Sequence, residues 1–224
     1  MACTHHHCLH IVPVFSKLDE SQMEIVSGIT RERIYQDGEL IYRAGESGGA
    51  LIVVHTGNVK IYRLDTEGRQ QVIRIINPGE FTGELSIFSD QPADDYAQAI
   101  GECSVCIVQA EKMRSVMEQF PLLTLQITQE LSRRLSQSDQ ALHSVLGKTV
   151  EQRVAGYLID LSMKQQTDDL LLPVTKGTIA SLLGMSQETL SRRLALLQEE
   201  GIISIGRGKR ITIVDKHALL EKNP

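Results

Sequence analysis

Nowhere does the chain hold an apolar run of the roughly 20 residues that a bilayer-spanning helix needs. Its first ten residues, MACTHHHCLH, carry neither a charged leader nor an apolar stretch, so no signal peptide is expected and a cytoplasmic location is. A basic excess is missing too: 23 lysines and arginines face 28 aspartates and glutamates, a net charge of -5. That excludes a general nucleic-acid coat but leaves room for a local basic patch. Cysteines are few, four in 224 residues. In a reducing compartment they point to a metal, a redox switch or plain burial before structural disulfides. No paired nucleophile and base, no phosphate-cradling glycine loop and no HExxH helix is legible, so no enzymatic activity is expected. GESGG at 45–49 has the glycines, but its serine lacks a strand-turn-helix context and reads as a β-turn.

What is present divides the chain into an arm at 1–15, a strand-rich domain at 16–120, a long helix at 121–147 and a carboxy-terminal domain at 148–224. The length suits two modest domains with real cores. Lys17–Arg31 predicts a short helix capped by Asp19 or Ser21. From Arg33 to Ala110, β-rich runs at Leu40–Tyr42, Ala50–His55, Val59–Leu64, Gln71–Ile76 and Ala97–Val108 are punctuated by glycine turns, among them Gly57–Asn58. Short strands at this spacing predict an antiparallel barrel or jelly roll, a shape that can hold a small ligand. A short helix at Glu111–Phe120 precedes Pro121, which opens a helix free of glycine and proline from Leu122 to Leu146. Thr128, Leu131, Leu135, Ser138, Leu142 and Val145 fall on alternating three- and four-residue steps, a coiled-coil seam that predicts a parallel homodimer. The alternative is a helix that packs on its own barrel. Gly147 makes a hinge, and Thr149 with Gln152 forms a capping box that starts a helix over Val150–Lys164. Gln165–Asp169 reads as a polar connection.

Thr175–Val214 carries the clearest signal. A helix begins near Lys176 with Ile179, Leu182 and Leu183 inward, Gly184 breaks it, and Ser186 caps a second helix over Gln187–Glu200. Leu190, Leu194 and Leu197 supply its buried face. Two strands, Ile202–Ile205 and Arg210–Val214, flank the basic turn GRGK. This is the pattern of a winged helix-turn-helix, whose second helix enters the major groove of DNA. Arginine can bond guanine twice, glutamate can accept from cytosine, and serine meets several base edges. The candidate DNA-binding residues are Thr178, Ser186, Gln187, Glu188, Thr189, Ser191, Arg192 and Arg193, with Arg207, Lys209 and Arg210 of the wing suited to phosphate.

The segments LIYRAGESGGALIVVHTGNVKIY, INPGEFTGELSIF, YAQAIGECSVCIV and TIASLLGMSQETLSRRL together resemble the CRP/FNR family of bacterial transcription regulators, over nearly the whole chain. Within it the chain is most similar to the FNR-like proteins of low-GC Gram-positive bacteria. The resemblance implies an α+β fold: a cyclic-nucleotide-binding-type β-roll, a long dimerisation helix and a C-terminal winged helix-turn-helix. It also implies a dimer on promoter DNA that works with RNA polymerase. Gly83 and Glu84 match the pair that meets the ribose in nucleotide-binding members, but the position of the phosphate-holding Arg-Ser or Arg-Thr pair is reached at Asp94 and Asp95. Two carboxylates repel a phosphate, so cyclic AMP is not expected. Glu188, Ser191 and Arg192 fall on the three base-reading positions of the FNR branch, which implies an inverted TTGAT-N4-ATCAA target. Gln187 departs from the apolar residue usual there.

The resemblance also frames the sensing chemistry. FNR proper holds a [4Fe–4S] cluster on three amino-terminal cysteines and one in the β-roll. Cys106 matches the latter, but the amino end offers only Cys3 and Cys8. Recruiting Cys103 is disfavoured, because an odd separation from Cys106 sends the two to opposite faces of a regular strand. In the FNR-like relatives an amino-terminal cysteine and the β-roll cysteine form a reversible disulfide, which implies Cys3 or Cys8 with Cys106. The other reading is a zinc site drawn from Cys3, His5, His7, Cys8 and His10, closed by Cys106.

Overall fold

The computed structural model describes residues 12–46, 49–89 and 91–223, without the side chains of 137–146. The chain forms two compact units, Met1–Leu135 and Ser136–Pro224.

The first unit opens with a single 3₁₀ turn at Pro13–Phe15 and helix α1, Glu20–Gly28. Asp19 and Gln22 cap α1 reciprocally, the Asp19 side chain taking the Gln22 amide at 2.9 Å. The helix is shorter than the predicted Lys17–Arg31. Thr30 and Arg31 already belong to strand β1, Thr30–Tyr35, and the Thr30 hydroxyl donates back to Val26 O at 2.7 Å. The strand wins because Thr30 and Arg31 pair with Val108 and Ile107.

Two long strands carry the roll. Strand β3, Ala50–Leu64, and strand β6, Tyr96–Gln109, pair antiparallel along most of their length, from Leu51↔Val108 to Ile61↔Ala97. β1 lies on the far side of β6, and β4, Gln70–Ile76, on the far side of β3. The short strands β2, Leu40–Tyr42, and β5, Phe81–Thr82, attach to β6 and β3. Alternation sorts the side chains into two cores. Leu51, Val53, Cys106 and Val108 pack with Phe15, Met23 and the helices, whereas Ile52, Val54, Cys103 and Val105 face Tyr35 and Ile76.

The predicted turn at Gly57–Asn58 is instead a bulge inside β3, so Ala50–His55 and Val59–Leu64 are one strand. Between the pairs Val54↔Val105 and Asn58↔Ile100, β3 advances four positions and β6 five. This odd offset reverses which parity of β3 points inward, so Val59 and Ile61 join the core that Ile52 and Val54 began. Gly57 makes it feasible: its φ is +76°, and a Cβ there would lie 2.4 Å from Glu102 O.

Helix α2, Leu85–Phe88, follows β5, and helix α3, Ala110–Gln119, follows β6. The long helix α4, Pro121–Gly147, then packs its first turns on the roll, where Leu123 and Ile127 are fully buried. A buried side chain of that size stabilises by about 1.5–3 kcal/mol.

In the second unit, helix α5, Val150–Gln165, starts from the expected Thr149–Gln152 capping box. The expected polar connection runs into strand β7, Asp169–Leu171. Helix α6, Lys176–Leu182, buries Ile179 and leaves Leu182 and Leu183 half-buried. After Gly184, at φ +64°, comes helix α7, Gln187–Glu199, with Leu190, Leu194 and Leu197 buried. Strands β8, Ile203–Ile205, and β9, Arg210–Ile213, complete a sheet of order β7-β9-β8. Helix α8, Lys216–Glu221, is capped by Asp215. The α+β fold expected from the resemblance is therefore the one observed: a β-roll, long helices and a helix-turn-helix with a small wing.

Gly57→Ala is expected to lower the unfolding free energy by about 2–4 kcal/mol, combining left-handed backbone strain with the contact at Glu102 O. Urea denaturation of the full chain measures it; an unchanged midpoint would show that the bulge tolerates a side chain.

Candidate nucleic-acid interface

The helix-turn-helix gathers most of the predicted residues. Both of its helices begin on hydroxyl caps. The Thr175 hydroxyl accepts from the Thr178 amide at 3.2 Å, and that of Ser186 from the Thr189 amide at 3.1 Å. In each cap the two hydroxyls also share a bond of 2.9 Å, Thr175 with Thr178 and Ser186 with Thr189. These caps set where each helix starts, and hence which residues of α7 stand at its amino end.

On α7, Gln187, Glu188, Ser191 and Arg192 are exposed, and Arg193 is half-buried. Arg192 donates to Glu188 one turn earlier at 2.5 Å, with their side chains 76% and 73% exposed. Such a solvated pair is worth only about 0.3–0.5 kcal/mol, so it orients the two groups and yields easily to stronger partners. Gln187 turns back toward α6, its side-chain oxygen against the bare backbone of Gly177, where a Cβ would come within 2.9 Å.

The wing is split. Arg207 and Lys209 are exposed, as expected for phosphate contacts. Arg210 is held instead by Asp169 of β7 at 3.1 Å, and Asp169 also accepts from Thr212 at 3.2 Å. By sequence alone Asp169 belongs to the polar connection Gln165–Asp169. Its role becomes visible only when β7 pairs with β9.

The roll contains a cavity of about 240 Å³, lined by Tyr42, Arg74, Glu84, Asp94 and Asp95 among others. The Tyr42 hydroxyl donates to Asp95 at 2.8 Å, and Asp94 is paired with Arg63. Burial raises the Asp95 carboxyl above its usual range and the Tyr42 phenol above its own. Gly83, at φ +82°, packs so closely that a Cβ would lie 2.0 Å from Ala50 O. Glu84 Oε1 accepts from Arg74 at 3.1 Å and faces Arg134 of α4 at 3.5 Å, whereas its Oε2 is buried without a partner among the described residues. Arg134 also donates to Phe81 O at 2.9 Å, lies 4.0 Å from the centre of the Phe81 ring, and pairs with Glu130 at 2.9 Å. This group ties α4 to the roll.

Cys103 and Cys106 are buried in different cores, as their odd spacing implies. Cys3, Cys8, His5, His7 and His10 lie outside the described residues, among which no group of three or more histidine, cysteine, aspartate or glutamate side chains could hold a metal. Of the predicted seam, Leu131 packs against the core of its own unit and Leu135 is 65% exposed. The side chains of Leu142 and Val145 lie outside the description. Among the described residues no helix is long and apolar enough to cross a membrane.

Comparison with known proteins agrees with this architecture. Residues 32–120 match the cyclic nucleotide-binding domain and residues 152–222 the Crp-like helix-turn-helix domain. The chain is 26% identical over 210 residues to the probable transcriptional regulator flp of Lacticaseibacillus casei, covering 94% of this chain and 95% of that one. It is 29% identical over 210 residues to the cyclic AMP receptor protein of Thermus thermophilus, with the same coverage of 94% and 95%. Among solved structures, FixK2 from Bradyrhizobium japonicum superposes with a TM-score of 0.77 at 24% identity, covering 88% of this chain and 98% of that one.

Burial pushes the Cys103 thiol up to about 11. The folded state therefore holds this proton more tightly than the unfolded chain. Its contribution to stability is complete below the ordinary thiol range and is lost as pH rises toward 11. At pH 8, brief iodoacetamide treatment should leave Cys103 unlabelled in the native protein and label it in urea, as read by peptide mapping. Equal labelling in both states would refute the buried, protonated thiol.

Proposed function

The chain belongs to the CRP/FNR family of DNA-binding transcription regulators, a non-enzymatic family, and on that premise we propose that it binds a TTGAT-like inverted repeat in promoters as a homodimer. The observation that carries this reading is the exposed trio Glu188, Ser191 and Arg192 on one face near the amino end of α7. Arg192 reads guanine through two bonds, Glu188 accepts from the cytosine side, and Ser191 meets the neighbouring thymine. The weak Glu188–Arg192 pair is exchanged for base contacts of about 1–3 kcal/mol each. Thr178, Ser186, Thr189 and Arg193 position the helix against the backbone. Arg207 and Lys209 neutralise phosphates, while Arg210 does so only by leaving Asp169. Gln187, folded onto α6, is the weakest base reader of the set.

The dimer seam is proposed to run along the exposed row Leu125, Thr128, Ser132 and Leu135 of α4, continuing in register to Leu142. The Thr128 hydroxyl donates to Thr124 O at 2.8 Å and that of Ser132 to Thr128 O at 2.9 Å, so both present carbon outward. Leu131 leaves the seam because it serves the core of its own unit. RNA polymerase is the expected second partner. Two acids in the cavity argue against cyclic AMP as the effector.

The signal is proposed to be thiol redox, through Cys3 or Cys8 with Cys106. One observation supports it: Val12, Val14 and Phe15 share a core with Cys106, and Cys8 precedes Val12 by four residues. Oxidation would then form one S–S bond and pass two electrons and two protons to the oxidant.

Arg192→Ala should lose guanine discrimination worth about 1–3 kcal/mol per half-site in a competition binding assay, whereas Arg207→Ala or Lys209→Ala should weaken all duplexes alike and flatten the salt dependence. Retained preference in Arg192→Ala sinks the recognition-helix assignment. Protein purified without oxygen should lose two thiols in air and regain them with reductant, and Cys106→Ser should not. Stoichiometric zinc lost on Cys3→Ser or Cys8→Ser would replace the redox reading with a metal-linked one.

A further inference from the structure

We infer that Arg153, on α5 and outside the helix-turn-helix itself, is a positioning residue for DNA recognition that locks the turn between α6 and α7. This rests on the reading of α7 as the recognition helix. The Arg153 guanidinium donates through Nη1 to Leu183 O and, at 3.3 Å, to Gly184 O, the carbonyls with which the chain leaves α6. A permanent cation suits that place, since the carboxyl end of a helix presents unpaired carbonyls and partial negative charge.

Two features of the surroundings support this reading. The Nε of Arg153 is buried and meets no acceptor in the structure, a loss that a freely placed arginine would avoid by turning to solvent. Gly184 is constrained from both sides: its φ is +64°, and a Cβ would come within 3.2 Å of Nη1 of Arg153. Any side chain at 184 would strain the backbone and press on the guanidinium.

The other end of α7 is held from the same helix. Lys222 bonds Glu200, the residue that ends α7, at 2.8 Å and Glu151, in the first turn of α5, at 3.0 Å. The first turn of α5 thus holds the turn that precedes α7 through Arg153 and, by way of Lys222, the residue that follows α7 through Glu151. The direction in which Glu188, Ser191 and Arg192 point thus depends on a helix outside the helix-turn-helix.

The test uses the full chain and whichever duplex the wild type prefers after in vitro selection from random sequence. Recovery of a half-site other than TTGAT would overturn the target proposed above and leave this test intact. Arg153→Met and the milder Arg153→Gln, which keeps one neutral donor, are compared with Arg153→Lys on the selected duplex and on a scrambled one. Thermal unfolding is recorded alongside. The expected result is a tenfold or greater fall in the ratio of selected to scrambled affinity for Met and Gln. Scrambled affinity and its salt slope should stay within twofold, because phosphate contacts tolerate a misaimed helix. Partial recovery is expected in Arg153→Lys, whose ammonium can reach one carbonyl. A ratio unchanged in the folded Gln variant would overturn the proposal. So would a parallel loss on both duplexes that tracks the melting temperature, since that marks Arg153 as structural only. If Met fails to fold, the Gln and Lys variants decide by the same ratio.

Discussion

The pairing of β3 with β6 is the constraint on which the sensor unit depends. These two strands are long enough to be neighbours along most of the roll, and every other strand of that sheet attaches to one of them. Their pleat separates two cores, and only the bulge around Gly57 keeps both halves of β3 turned the right way. The same pairing sends Cys103 to one core and Cys106 to the other. A cluster ligated by both would have to break this alternation, so the architecture itself disfavours it.

The chemistry of the roll then follows from charge. Arg74 and Arg134 share one oxygen of Glu84, Oε1, while Oε2 is buried without a partner among the described residues, and Arg134 is further fixed by Glu130 and the Phe81 ring. Asp94 and Asp95 put negative charge in the cavity, and at Asp95 burial outweighs the Tyr42 hydroxyl and the charges of Arg74 and Arg63. On the amino-terminal side Val12, Val14 and Phe15 share the core of Cys106, which is where the proposed redox signal would enter.

In the DNA-binding unit, precision comes from ends rather than from middles. Hydroxyl caps start α6 and α7, a left-handed glycine turns the chain between them, and charged side chains of α5 and the carboxy terminus close the gaps. The face proposed to read bases is left solvated and loosely paired. A recognition surface can be plastic in its side chains only if the helix beneath it is not.

Local signals were enough to place the helix-turn-helix. Glycine at 184, serine at 186 and the leucines at 190, 194 and 197 act within a few residues of where they stand, and the Thr149–Gln152 box does the same for α5. The acids at 94 and 95, the parity of 103 and 106, and the helix-forming character of 121–147 were equally legible, since each depends on residue type and spacing alone. What the tertiary structure decided is everything that depends on a distant partner. Gly57 is a bulge and not a turn because β6 continues past it. Leu131 faces inward because the roll lies beneath α4, whereas a heptad pattern fits a partner helix or a barrel equally well. Arg210 is restrained by an aspartate 41 residues away, and Arg153 reaches a turn 30 residues away. Periodicity reports which face of an element is apolar; it holds no information about which polar atom will stand opposite once the chain has folded.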